Sequence, residues 1–167
     1  MKKILVIEDE AQIRNILLEW LEIEGFYAIG VENGLVAVEQ VQEELPDLIL
    51  CEITIPQLDG YGVLTRLRQD PLSATIPFIF VTTKVDGANF RKAMELGADD
   101  YLTKPFIVDE LLKAITTCFS KRATVQQGFT ASAQLVSALP PTDTTSRKPP
   151  KAHLSIRSPA SQNLPLH

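Results

Sequence analysis

A chain of 167 residues, 45% hydrophobic and 22% charged, falls in the ordinary globular range and is long enough for one full core. Its charge of −5 is unevenly divided: residues 1–121 hold 11 Lys/Arg against 20 Asp/Glu, whereas 122–167 hold 5 against 1. A body that acidic repels nucleic acid over most of its surface, and no stretch approaches the ~18 apolar residues of a membrane span, so neither a DNA-binding body nor a membrane protein is expected.

Ile4–Ile7 is an unbroken aliphatic run, as in a strand buried on both faces. Only four apolar residues separate Met1-Lys2-Lys3 from Glu8-Asp9-Glu10, too few for a secretory signal, so a cytoplasmic protein is expected. Ile13, Ile16, Leu17, Trp20 and Leu21 then recur at helical spacing until Gly25 supplies a stop. Phe26–Val31 reads as a second strand and Asn33-Gly34 as a turn. Leu35, Val38, Val41 and Leu45 read as the apolar stripe of a second helix ending before Pro46. Leu48–Ile53 makes the third strand, and residues near 60–69 a helix with Leu64 and Leu67 inward. Phe78–Val81 makes the fourth strand, and Asp86 caps a helix containing Phe90, Ala93 and Met94 that stops at Gly97. Tyr101-Leu102 is a short fifth strand, and Val108, Leu111, Leu112, Ile115 and Phe119 mark a last helix ending near Lys121. Cys51 and Cys118 lie far apart without metal-ligand spacing and read as small core residues.

Five strands alternating with five helices predict a doubly wound α/β domain: one open parallel sheet with helices on both faces, occupying residues 1–121. Residues 122–167 hold six of the eleven prolines with many Ser, Thr, Ala and Gln, and read as a basic tail, mostly disordered beyond ~140. Within it, Phe129–Leu139 reads as a brief helix, a docking segment or a flexible linker, and Arg147, Lys148, Lys151 and Arg157 as solvated charge.

Ligands of such sheets bind beyond the carboxyl ends of the strands. Those ends carry Glu8, Asp9 and Glu10, then Glu52, then Thr82 and Thr83, then Lys104. Crowded carboxylates collect a hard divalent cation, Mg²⁺ by preference, and a hydroxyl and an ammonium opposite suit a phosphoryl group.

Val6-Ile7-Glu8-Asp9-Glu10, Pro46-Asp47-Leu48-Ile49-Leu50-Cys51, Ile55-Pro56-Gln57-Leu58-Asp59-Gly60-Tyr61, Val81-Thr82-Thr83 and Gly97 through Phe106 resemble, in order, the signatures of response regulator receiver domains of two-component signalling. The resemblance covers residues 2 to about 121 and implies the flavodoxin-like strand order 2-1-3-4-5. It further implies Asp9 as a direct Mg²⁺ ligand, Glu8 acting mostly through water, and the Thr54 carbonyl as a main-chain ligand. Thr82 and Lys104 match the phosphoryl-site partners, and Tyr101 the aromatic that reports the active state. Pro105 matches the proline expected after a cis peptide bond, a geometry that X-Pro permits. A histidine kinase or phosphotransfer protein and a downstream effector are the implied partners, and no enzymatic turnover of the chain's own is expected.

Glu52 stands where the family carries its phosphoacceptor and metal-binding aspartate. One methylene too long, it is expected to accept phosphate poorly and to push a carboxylate toward Thr82 and Lys104, imitating the phosphorylated state in part. The alternatives are a receiver that Glu52 leaves inactive, a phosphorylation-independent pseudo-receiver that serves as a binding module and, more remotely, a Mg²⁺-dependent phosphohydrolase of the haloacid-dehalogenase type. The latter asks for Asp-x-Asp where this chain has Glu8-Asp9-Glu10. A flavin carrier would need a phosphate loop where the three acids stand, and the tail is too short and polar to form a DNA-binding domain.

Overall fold

The computed structural model describes the backbone of residues 1–138 and the side chains of residues 1–128. Strands β1 (Lys3–Ile7), β2 (Tyr27–Val31), β3 (Leu48–Cys51), β4 (Phe78–Thr82) and β5 (Asp100–Thr103) alternate with helices α1 (Ala11–Ile23), α2 (Gly34–Glu44), α3 (Gly60–Gln69), α4 (Gly87–Glu95) and α5 (Val108–Ala138). All strand pairings are parallel, in the order β2-β1-β3-β4-β5 expected from the sequence. Ile4 faces Leu48 and Ala28, and Ile49 faces Phe78, so three of the apolar runs lie side by side.

Side chains alternate across a strand, which explains why these runs are apolar at every position. Leu5, Ile7, Ile49, Cys51, Phe78 and Phe80 pack with Ala37, Val41, Val63, Leu64, Leu67 and Ala93 of α2, α3 and α4. Ile4, Val6, Leu48, Leu50, Ile79 and Val81 pack on the other face with Leu17 and Leu21 of α1 and Leu111 and Ile115 of α5. Both cysteines are buried free thiols, as expected.

The helix boundaries have local causes. The side chains of Asn33, Asp59 and Asp86 each accept a backbone N–H three residues on, capping α2, α3 and α4. Gly25 and Gly97 take positive φ at the ends of α1 and α4, where a side chain would be strained.

Two expectations are corrected. The buried stripe of α2 is Gly34, Ala37 and Val41, whereas Leu35 and Leu45 are exposed. Small residues win because α2 approaches the 58–60 loop so closely that a Cβ on Gly34 would strike the Leu58 carbonyl. The last helix continues past Lys121 to Ala138, because from Lys121 to Ala138 the only weak helix former of consequence is Gly128 and the first proline is Pro140. The predicted disorder beyond ~140 lies outside the described residues, and no helix among those described is long and apolar enough to cross a membrane.

Gly60 begins α3 directly beneath Glu52. A Cβ there would collide with the Glu52 carbonyl oxygen and lie 2.9 Å from both the Ile53 Cα and the Phe80 ring. Gly60→Ala should therefore lower unfolding free energy by about 1–3 kcal/mol in urea titration. Gly87→Ala, whose Cβ meets nothing within 4 Å, should change it by no more than about 0.5 kcal/mol.

Candidate functional site

The sheet itself sets the site in register. One residue beyond each strand, the ladder continues: Glu8 N–H donates to the Val31 carbonyl at 3.0 Å, Glu52 N–H to the Ile7 carbonyl at 3.0 Å, and Lys104 N–H to the Thr82 carbonyl at 2.8 Å. Glu8, Glu52 and Lys104 thus stand at the carboxyl ends of β1, β3 and β5.

Their side chains meet. The Lys104 ammonium lies 2.8 Å from Glu52 Oε2 and 3.1 Å from Glu8 Oε2. Glu52 is only 7% exposed and Glu8 2%. The second oxygen of Glu52, Oε1, accepts the N–H groups of Ile53 at 2.8 Å and Thr54 at 3.4 Å. Glu8 Oε1 is the single buried side-chain oxygen or nitrogen among the described residues that has no hydrogen-bond partner. Burial pushes the Glu8 carboxyl above its ordinary range, Lys104 pulls it back, and the nearby charges of Glu52 and Asp9 raise it further. Burial also works against the Lys104 charge, but its ion pairs with Glu52 and Glu8 outweigh burial and hold it above the ordinary 10.5.

The other anticipated residues flank this triad. Thr82 is fully buried, and its Oγ1 accepts the Lys84 N–H at 3.3 Å rather than turning to Glu52. The Tyr101 hydroxyl donates to the Lys84 carbonyl at 2.6 Å, with its ring packed against Phe80 and Phe90. Burial first, then the neighbouring Tyr61, Asp86 and Glu52, push the Tyr101 phenol up to about 12. The Lys104–Pro105 peptide is cis. Asp9 and Thr54 are exposed.

Two features were missed in the sequence reading. Arg14 Nη1 donates to the Glu8 carbonyl at 2.8 Å and reaches the Asp9 carbonyl at 3.5 Å, bracing the acidic loop from the first turn of α1. Its place four residues after the acidic triplet is the only sequence signal for this role. The closing of Glu52 onto the amides that follow it has no side-chain signature at all.

Mg²⁺ requires near-octahedral oxygen coordination. Of the donors expected from the sequence, Glu52 has one oxygen on Lys104 and the other on backbone amides, and Glu8 has one on Lys104. Among the described residues no three acidic, His or Cys side chains converge as a metal-binding group. The donor chemistry suits Mg²⁺, but the arrangement does not fit it.

Removing the shared ammonium leaves two buried carboxylates facing each other. Lys104→Met should cost about 3–5 kcal/mol in urea unfolding at neutral pH. The loss should shrink as pH falls into the acid range and Glu8, whose carboxyl burial already holds above its ordinary range, takes up a proton. In the parent chain the sign is opposite. Because the pairs raise the folded Lys104 pKa, their stabilisation is complete below 10.5 and decays as pH rises through the folded value. Urea titrations across acid and alkaline pH check both halves.

The model of the response regulator receiver domain matches residues 4–116. Among curated proteins, the chain is 39% identical over 110 residues to the transcriptional regulator ycf27 of Guillardia theta, covering 66% of this chain and 42% of that protein. It is 39% identical over 117 residues to the phosphate regulon transcriptional regulatory protein PhoB of Pseudomonas aeruginosa, covering 68% and 51%. The chain thus spans about half the length of the curated relatives it matches. Among solved structures, a response regulator from Chloroflexus aurantiacus superposes with TM-score 0.69 at 30% identity, over 71% of this chain and 98% of that one. The receiver domain of a sensor histidine kinase from Pseudomonas aeruginosa superposes with TM-score 0.67 at 26% identity, over the same shares, and holds a magnesium ion coordinated in its active-site cleft. With that match over most of the described residues and the strand order β2-β1-β3-β4-β5, the chain belongs to the response regulator receiver domain family.

Proposed function

We propose that this receiver works in a two-component pathway with its output state set by Glu52 in place of a phosphorylated aspartate, and that it signals by docking onto a partner protein. The observation that carries the reading is the Glu52–Lys104 ion pair at 2.8 Å, with the other Glu52 oxygen closed onto the Ile53 amide. A carboxylate fixed by three donors is a poor nucleophile, and a reacting atom displaced by ~1 Å can cost ~100-fold in rate. The same carboxylate presents to Lys104 a negative charge where a phosphoryl group would present up to two. Glu52 therefore biases the receiver only by its different interaction with the two conformations.

Tyr101 supports an active-like bias, since its hydroxyl is tied inward to the Lys84 carbonyl. Next to its ring α4 exposes Phe90 and, further on, Met94, and Ile107 is exposed just ahead of α5, apolar residues suited to an effector protein. The kinase or phosphotransfer protein that serves relatives would have lost its acceptor here. Thr82 favours a second reading: with its hydroxyl on Lys84 rather than on Glu52, the domain would be a binding module with no switch left.

Intact mass after incubation with acetyl phosphate and Mg²⁺ tests the proposal. The parent chain should gain no phosphoryl group, while Glu52→Asp gains one. A phosphoryl adduct mapped to Glu52 overturns the reading, and no gain in either chain favours the switchless module.

A further inference from the structure

Resting on the reading of Glu52 above, we infer that Lys104 is the resident cation of this crevice, so that the domain holds its folded and output-ready conformation without a divalent metal.

The inference starts from where each carboxylate oxygen goes. Four oxygens belong to the two buried glutamates. Glu52 Oε2 and Glu8 Oε2 share the Lys104 ammonium, and Glu52 Oε1 accepts two backbone N–H groups. Only Glu8 Oε1 is left, and a single buried oxygen does not make a divalent site. Asp9, on the adjacent residue, is exposed, so its carboxylate competes with bulk water for any ion it holds.

The extra methylene of Glu52 is the cause. It gives the carboxylate enough reach to contact Lys104 while folding back over the amides of Ile53 and Thr54. That is the peptide segment whose Thr54 carbonyl would otherwise serve the metal. A Mg²⁺ ion entering here would have to pull Glu52 off three donors, and it would sit beside an ammonium already held by both glutamates, on a side chain only 11% exposed. Mg²⁺ gives up its own water reluctantly, so each of these contacts counts against it. Lys104 meanwhile supplies what a metal supplies to crowded carboxylates: positive charge at hydrogen-bond distance from both.

Thermal unfolding of the full chain, in MgCl₂ and in EDTA at matched ionic strength, tests this. The parent chain should melt at the same temperature in both. Glu52→Asp, with its carboxylate withdrawn, should melt a few degrees higher in saturating MgCl₂. Trp20, the chain's only tryptophan, gives a second readout: its ring meets Phe106, two residues past Lys104, at 6.2 Å. Its fluorescence should stay flat on MgCl₂ titration of the parent chain, which decides the matter even if the variant fails to fold. A saturable fluorescence change or a raised melting temperature in the parent chain overturns the inference. A flat response in both chains overturns the role given to the length of Glu52. A parent chain that binds Mg²⁺ yet gains no phosphoryl mass sinks this inference alone, whereas a phosphoryl gain sinks the reading of Glu52 on which it rests.

Discussion

One ammonium shared by two buried carboxylates governs the functional end of this domain. Glu8, Glu52 and Lys104 come from the ends of three different strands, so their contact fixes the mouths of β1, β3 and β5 relative to one another. A buried ion pair contributes little net stability over an apolar substitute, because desolvation offsets most of its attraction. What the triad supplies is discrimination: any arrangement that parts Lys104 from either glutamate strands a charge in the interior. The sheet beneath can therefore be regular and apolar while its rim adopts one specific geometry.

From that rim the packing leads to α4 without a break. Lys104 N–H continues the ladder onto the Thr82 carbonyl, and the loop that follows β4 is tied to β5 through Tyr101 and Lys84. Phe80 lies between the Tyr61 and Tyr101 rings, and the Tyr61 hydroxyl donates to Asn89 Oδ1 on α4 at 2.6 Å. Two phenols thus hold the approach to α4, Tyr61 of α3 at its first turn and Tyr101 of β5 at Lys84 in the loop before it. Their hydroxyls end on the loop and first turn that adjoin the exposed Phe90, which makes the geometry of the α4 surface depend on how those rings are seated.

The parts of this molecule legible in the sequence are those fixed by local periodicity or by a residue with one strong preference. Ile4–Ile7 and Phe78–Val81 announced buried strands because both faces are covered, and Asp86, Gly25 and Gly97 announced helix ends because capping and positive φ restrict the choice. The α2 stripe was misread because hydrophobicity was weighed without volume: Leu35 is more apolar than Gly34, yet at Gly34 even a Cβ would strike the Leu58 carbonyl, so the buried face starts there and runs on through Ala37 and Val41. The end of α5 was misplaced because the apolar period fades after Phe119 while nothing forbids the helix from continuing. At the site, the residues and their strand-end positions were legible, but the partition of four carboxylate oxygens among Lys104, two amides and no partner was not. That partition is set by side-chain length in three dimensions, which spacing along the chain does not encode.

The length of α5 has a mechanical meaning. A helix of 31 residues is roughly 46 Å long, and its first half is bolted to the sheet through Leu111 and Ile115. The remainder runs on past Phe119 to Ala138 as one unbroken helix. Each degree of tilt about the point where that packing ends moves the far end by about 0.4 Å over some 25 Å of helix. A tilt too small to see where the helix leaves the sheet is therefore enlarged by the time it reaches Ala138.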